Sequence, residues 1–423
     1  MITLDASIFK VKGFKLYLST RFLMTFAIQM QNVITGWYLY NLTKDPLTLG
    51  IVGLAEALPA ISFALYAGHL VDKYDKRKVL TGAFVVYGLC TALFAFFTGG
   101  WTHDHFTTHQ IVWLFYSVLF VLGLARAFAG PASFSVIGYL FPRSMMAKVS
   151  PISSTSWQLG AILGPALGGI LYGATSASFS STVVTFLIIV SVICSYFLPS
   201  MPAISEDAPG GYSIASRIKE GISYVFKNKI ILSAISLDLF AVLFGGAVAL
   251  LPVFASEILH VGSTELGWMR AAPSAGAAIV LLLLSVRPPE NRTGIKLLLA
   301  VAGFGLCILG FANSTHLWLS IALLFGSGAF DAVSVVIRGT LLQIYTPDRM
   351  KGRVAAVNTM FIGSSNEIGA FESGTAARII GTVPSVIFGA GMTILIVIVT
   401  AFLAPQLRKV ELKDIDTETI DGT

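Results

Sequence analysis

Charge is what this sequence has least of. Only 12% of its 423 residues are Asp, Glu, Lys or Arg, against roughly 25% in an ordinary soluble chain. A soluble protein of this length could not cover its surface with so few, so soluble enzymes and nucleic-acid binders are excluded as classes. A net charge of +6 does not revive a nucleic-acid reading, because the bases sit in short loops between apolar runs. Cysteine is scarce as well. Cys90, Cys194 and Cys307 each lie inside a long apolar run, which supplies neither a disulfide framework nor a CxxC metal site. They read as small packing residues. There is no Walker loop, nucleophile elbow or HExxH, so neither ATP drive nor hydrolytic chemistry is expected. No enzyme activity, cofactor or metal follows. His103, His105 and His109 form an HxHxxxH cluster, but with Asp104 alone beside them they are a poor metal site. A cleavable leader is not expected either. Lys10, Lys12 and Lys15 precede an apolar stretch over 14–42, longer than the roughly 7–15 residues of a signal-peptide core.

Apolar residues, by contrast, make up 55% of the chain. A membrane helix needs about 20 of them in a row. The sequence predicts twelve spans: 14–42, 46–66, 79–98, 110–134, 150–172 and 179–198, then 230–256, 264–286, 295–313, 316–343, 354–377 and 383–404. Glycine and proline occur inside them, which lipid-embedded helices tolerate. Lys and Arg set the orientation, because basic residues concentrate in cytoplasmic loops. With the N-terminus inside, 22 of the 28 bases fall in inside segments. Lys44, Arg270 and Arg378 fall outside, and Arg21, Arg126 and Arg338 lie within spans. One helix more or fewer would scramble that alternation, so both termini are expected in the cytoplasm.

The longest interruption, 199–229, separates two sets of six spans. The chain is therefore divided into a first bundle over 1–198, a cytoplasmic linker over 199–229, a second bundle over 230–405 and a tail over 406–423. The linker opens with Pro, Gly, Ser, Glu206 and Asp207. From Tyr212 to Lys229 it alternates Ile214, Ile218, Ile222 and Val225 with Arg217, Lys219 and Lys227, an amphipathic helix on the cytoplasmic face. The halves also repeat at an offset of 205 residues. Gly123 matches Gly328, Pro142 matches Pro347, Gly164 matches Gly369 and Gly169 matches Gly374. Arg126 meets Asp331, so the charge inverts there. Duplicated six-helix halves point to a transporter with its solute path between them.

After the second span comes Gly68-His-Leu-Val-Asp72-Lys-Tyr-Asp-Lys-Arg77-Lys78. Gly68 would permit close helix approach, and Asp72 can cap a helix or pair with a base. The run resembles the G-x-L-x-D-R-x-G-R-[RK] loop of the major facilitator superfamily, with Lys73 in place of Arg and Asp75 in place of Gly. In that family the loop braces the two halves in the outward-facing state. On the fifth span, Gly160-x-x-x-Gly164-Pro165-x-x-Gly168-Gly169 puts three glycines on one stripe, where a neighbouring backbone can pack closely, with Pro165 weakening the helix beside them. The run resembles the motif of the proton-driven antiporters in that superfamily, and Arg126-x-x-x-Gly130 resembles their arginine motif, associated with proton transfer. Thr346-Pro347-Asp348 through Gly352-Arg353 to Asn358, with Arg21-Phe-Leu and Leu42 to Gly50, resembles the branch of enterobactin exporters and macrolide efflux proteins. The resemblance covers nearly the whole chain and implies proton-driven export of a small amphipathic compound.

Ionisable groups inside a bilayer cost a few kcal/mol each and are functional candidates by default. The candidates for proton coupling are Glu56, Glu367, Glu372, Asp238 and Asp331, with Arg126 as their partner. A carboxyl desolvated between helices can load and release protons near neutral pH. Glu56 lies about 15 Å into its span. Glu367 and Glu372 are five apart, about 140° around the helix, and so face different neighbours. Arg21, Gln29, Asn32, Asn358, Ser365 and Asn366 are candidates to line the substrate path. The fold expected is an all-α membrane protein of twelve transmembrane helices in two pseudo-symmetric six-helix bundles. It is read as a monomeric proton antiporter of the cytoplasmic (inner) membrane, whose partners are a small-molecule substrate, protons and lipid. An importer or uniporter of the same fold would use the same acids as ligands, and a non-transporting receptor or scaffold would leave them unexplained.

Overall fold

The structure is a computed structural model, and it describes residues 8–142, 145–202, 214–287, 289, 291–347 and 350–411. Glu206 and Asp207 of the linker, Asp348 of the second-half motif, the tail beyond 411 and the side chain of Asp72 lie outside the described residues.

Every regular element among the described residues is helical. Helix α1 (Phe14–Thr43) ends at Lys44, whose φ of 52° turns the chain into Pro46, the first residue of α2 (Pro46–Lys73). A proline there needs no partner for a missing N–H. Next come α3 (Lys76–Phe97), the short α4 (Gly100–His105), α5 (Thr108–Leu140), α6 (Met146–Ala174) and α7 (Ala177–Tyr196). Thr107 and Gln110 start α5 with a reciprocal capping box. The linker helix α8 (Ile214–Lys227) leads to α9 (Lys229–Phe244), α10 (Leu251–Val253), α11 (Ser263–Val286) and α12 (Thr293–Ala312). The chain closes with α13 (Leu317–Ile344), α14 (Lys351–Ile380), α15 (Thr382–Leu403) and α16 (Pro405–Arg408).

Among the described residues, 9 helical stretches are long and apolar enough to cross a membrane. Helices α1, α6 and α14, with 30, 29 and 30 residues, are long enough too. They also carry most of the polar and glycine candidates. The outward side chains suit lipid: Phe134, Phe402 and Leu403 are 79%, 75% and 80% exposed, a surface water would not tolerate in such number.

One span differs from expectation. The seventh, expected over 230–256, is present as one apolar stretch over Lys229–Ile258, but its helix is interrupted: α9 stops at Phe244 and gives way to a 3-10 turn, the short α10 and a π turn over Phe254–Ile258. The reason is local. Gly245 and Gly246 weaken the helix, and Pro252, six residues on, removes a backbone donor.

The chain forms two compact units. The first comprises Met1–Lys44, Leu54–Pro209 and Val261–Ala271, the second Asp45–Gly53, Gly210–His260 and Ala272–Thr423. In the first, α1 lies against α6 and α7, and α3 against α5 and α7. Phe14, Tyr17, Phe94 and Phe115 are fully buried there, and the Phe94 and Phe115 rings stack at 5.0 Å. In the second, α9 packs on α14 and α15, and α12 on α13 and α15. At the end of α8, Val225 is buried with Ile231, Leu342 and Val354, while Ile222 is exposed; the side chains of Ile214, Arg217, Ile218 and Lys219 lie outside the described residues. The Tyr224 hydroxyl donates to the Tyr345 carbonyl at 2.7 Å, and Glu220 pairs with Arg353.

The sequence repeat is a packing repeat. A Cβ on Gly123 would strike the Glu56 carbonyl of α2, and one on its counterpart Gly328 would strike the Pro273 carbonyl of α11. Gly164 likewise meets α1 at Phe26 and Gln29, while Gly369 meets α9 at Val242 and Leu243. Each unit thus closes its fifth helix onto its first through the same glycine position.

Candidate functional site

The contact at Gly123 positions the charges of the first unit. Because α5 touches the backbone of α2 at Glu56, a residue one turn along α5 on the same face can reach the Glu56 side chain. That residue is Arg126. Its Nη1 donates to Glu56 Oε1 at 2.9 Å. The Glu56 side chain is 17% exposed and that of Arg126 46%. The buried Tyr87 lies within electrostatic reach of both. No sequence pattern linked Glu56 to Arg126, because the helix crossing alone joins them.

On α1, Arg21 Nη1 donates to the Tyr17 hydroxyl at 3.1 Å, and that hydroxyl is 3.3 Å from Ser153 Oγ. Arg21 Nε is buried without a partner. Asn32 donates to Gln29 at 3.0 Å, so these two candidates are bonded to one another. The neighbouring Gln31, which sequence reasoning missed, is buried and donates to Thr35 and Ser181. The glycine stripe faces α1: a Cβ on Gly160 would come 3.0 Å from Phe26 N, and one on Gly164 2.7 Å from Phe26 O. On Gly168 it would come 2.8 Å from Met30 Cα. Gly169 points to Ser263 and Gly267 at the start of α11, within the same unit. Pro165 sits inside α6 without ending it.

The loop after α2 departs from expectation in two ways. Nothing comes within 4 Å of a Cβ on Gly68, so the close approach expected there is absent among the described residues. Asp75, one of the two departures from the family pattern, makes several bonds. It caps α3 by accepting from Arg77 N at 2.9 Å and also accepts from Ser200 Oγ at 2.8 Å and Met201 N at 3.3 Å. Burial pushes its carboxyl up, but these bonds, with one from the Lys78 backbone, outweigh it and hold the carboxyl below its ordinary range. Arg77 Nη1 donates to the Tyr196 and Leu198 carbonyls at 3.4 and 3.2 Å, satisfying the end of α7.

In the second unit, Asp238 of α9 and Arg338 of α13 form a buried ion pair. Asp331, on the same helix as Arg338, lies beside Asp238 across a small pocket. On α14, Glu372 accepts from Ser373 Oγ at 3.4 Å, while a Cβ on Gly53 would come 3.4 Å from Glu367 Oε2. Ser365 is buried and Asn366 exposed, and both bond back to the Ile362 carbonyl. Asn358 Oδ1 is buried without a hydrogen-bond partner among the described residues. The histidines of the HxHxxxH cluster each have a separate partner. His103 lies 3.0 Å from the Tyr38 hydroxyl, His105 stacks on Trp101, and His109 accepts from Trp113.

Comparison with known proteins agrees with this architecture. A family profile described as Major Facilitator Superfamily matches residues 17–370. Macrolide efflux protein A of Streptococcus pyogenes is 22% identical over 413 residues, covering 92% of this chain and 95% of that protein. Enterobactin exporter EntS of Shigella boydii is 24% identical over 337 residues, covering 76% and 75%. An MFS-type transporter of Bacillus subtilis, YkuC, is 23% identical and covers 86% and 85%. Among solved structures, the nucleoside transporter NupG superposes with a TM-score of 0.74 at 13% identity, covering 93% of this chain and 100% of that one. A POT family transporter bound to 5-aminolevulinic acid gives 0.71 at 12%, covering 94% and 97%. At such identities the structures speak for the fold alone.

Proposed function

The chain belongs to the major facilitator superfamily, and from that premise we propose that it exports small amphipathic molecules, drug- or siderophore-like, in exchange for protons by alternating access. Efflux-type relatives support the direction of transport. The observation that carries proton exchange is the Glu56–Arg126 pair. A carboxylate at mid-membrane depth is tolerable only when paired or protonated. Arg126 pairs with Glu56. A proton taken by Glu56 releases the guanidinium, and return of the pair releases the proton. Glu367 and Glu372 serve as further proton carriers. Arg21, Gln29, Asn32, Asn358, Ser365 and Asn366 line the substrate path, and the glycine face of α6 gives α1 a surface to move against. In this reading the bundles are 1–198 and 230–405, joined by the linker. The protein works as a monomer in the cytoplasmic membrane with both termini inside.

The test is transport in proteoliposomes under an imposed pH gradient, screened against siderophores, macrolides and dyes. Glu56→Gln mimics the protonated acid at nearly constant volume. It should keep substrate exchange and lose accumulation driven by the gradient. Wild-type accumulation in Glu56→Gln, Glu367→Gln and Glu372→Gln, each made singly, would refute the coupling assigned to these acids.

A further inference from the structure

Four bases of the second unit take no part in the mechanism above. Arg292 immediately precedes α12 and Lys296 lies in its first turn, while Arg408 ends α16 and Lys409 follows it. The two pairs are distant in sequence, and packing joins them. Helix α16 lies against both α9 and α12. A Cβ on Gly294 of α12 would strike the Leu407 carbonyl and come 3.3 Å from Arg408 Cα. The Gly294 N–H donates to the Val410 carbonyl at 3.2 Å. Leu407 and Val410 are buried with Ala234, Leu297 and Leu298, which leaves Arg408 and Lys409 on the outer side of α16, where both are exposed. Arg292 and Lys296 are exposed as well. Among the described residues none of the four has an ion-pair partner. Glu411 is the one acid among the described residues of 291–296 and 404–411.

The surface beside these bases is apolar. Ile295 and Leu299 are exposed on the side of α12 that carries Lys296, and α15 ends in the exposed Phe402 and Leu403 just before α16. Both α12 and α15 are long and apolar enough to cross a membrane, so the bases rim the level where two spans leave the hydrocarbon and headgroups begin. Setting topology requires only that bases be present in a loop. It does not require two distant segments fastened together by a buried contact. Four cations against one acid call for an anion, and guanidinium and ammonium groups suit phosphate oxygens. A soluble anion would use the bases alone. A phospholipid uses the apolar rim too, with its acyl chains along Ile295, Leu299 and Phe402 and its phosphate among the bases. We propose that this patch holds an anionic phospholipid by its phosphate, fastening α16 to the ends of α9 and α12. The chain's own acidic end, with Asp414, Asp416, Glu418 and Asp421, offers a rival anion but no acyl chain for the apolar rim. The site uses none of the residues assigned to proton or substrate, so it stands or falls apart from the export reading.

The test uses the full-length protein in detergent and titrates Tm with mixed micelles of dioleoyl phosphatidylglycerol or dioleoyl phosphatidylcholine, since a ligand of the folded state raises Tm. Identical acyl chains isolate the headgroup. Wild type should show a saturable rise with phosphatidylglycerol beyond that with phosphatidylcholine, and inorganic phosphate at matched concentration should give none. At about five-fold in affinity per base, Arg408→Gln with Lys409→Gln should move the titration midpoint about 25-fold. Arg292→Asn with Lys296→Gln should do the same from the other segment, asparagine being tolerant of the φ of 49° at that position. Lys10→Gln with Lys12→Gln, which removes two exposed bases of the first unit, should leave the midpoint unchanged. If one patch variant fails to accumulate, the other reads the site. Equal shifts with the two lipids overturn the proposal, as does a phosphatidylglycerol shift that a patch variant leaves intact, that the first-unit variant weakens equally, or that inorganic phosphate reproduces. A shift that appears only once residues 412–423 are deleted also overturns it, by giving the patch to the acidic tail.

Discussion

Gly164 offers the most direct test of the packing described for α6. Its Cβ position lies 2.7 Å from the Phe26 carbonyl oxygen and 2.8 Å from Gln29 Cβ. Both are closer than the 3.0 Å that real Cβ contacts respect. The first of these atoms is backbone, so a methyl group there must push α1 and α6 apart rather than turn a side chain aside. Two opposing effects set the magnitude. Replacing a mid-helix glycine by alanine gains about 0.5–1 kcal/mol of helix stability. Overpacking costs about 1–3 kcal/mol. Gly164→Ala should therefore be destabilised by up to about 2 kcal/mol, taking the larger overpacking costs against the helix gain. Gly82→Ala is the control, because nothing lies within 4 Å of that Cβ position on α3, and it should be neutral or slightly stabilised. The assay is Tm in detergent for matched variants that insert normally in the membrane, with transport measured beside it. Gly164→Leu should lose transport altogether. If Gly164→Ala were as stable as Gly82→Ala, the close contact between α1 and α6 would be wrong.

Three further outcomes follow from the same structure. Asp75→Ala removes the cap of α3 and both bonds to the α7 exit, and should cost about 0.5–2 kcal/mol. Because the folded carboxyl titrates below its ordinary range, that contribution is present at neutral pH and fades as pH falls through the folded pKa. The Tm gap between wild type and Asp75→Ala should narrow in acid, and a gap that widens would contradict the assigned hydrogen bonds. Arg338→Met strands a buried Asp238 and should cost about 3–5 kcal/mol, whereas Arg338→Met with Asp238→Leu should recover most of it. A double variant no more stable than the single one would mean the two charges do not depend on each other. Cysteine labelling of intact cells should reach position 104 from outside and position 75 only from inside, and the reverse at either site would undo the assigned orientation.

The membrane class, the helical fold and the approximate ends of the helices were legible in the sequence because they follow from chain-local physics. Lipid demands about 20 apolar residues per crossing, and a helix satisfies its own backbone wherever it is placed. The family was legible from short motifs for the same reason, since each is read within one loop or one helix. The break at Gly245 was written there too, in a Gly-Gly pair that propensity alone penalises, but apolar length masked it. What the tertiary structure decided was partnership. Glu56 and Arg126 stand 70 residues apart, and only the α2–α5 crossing at Gly123 brings them together. Asp238 takes Arg338 rather than another base because α9 and α13 meet there. Among the described residues Asp331, on the same helix as Arg338, has no ion-pair partner. The electrostatics of a buried ion depend on which helix face lies opposite, and that is set by packing across the whole unit, which no local pattern records.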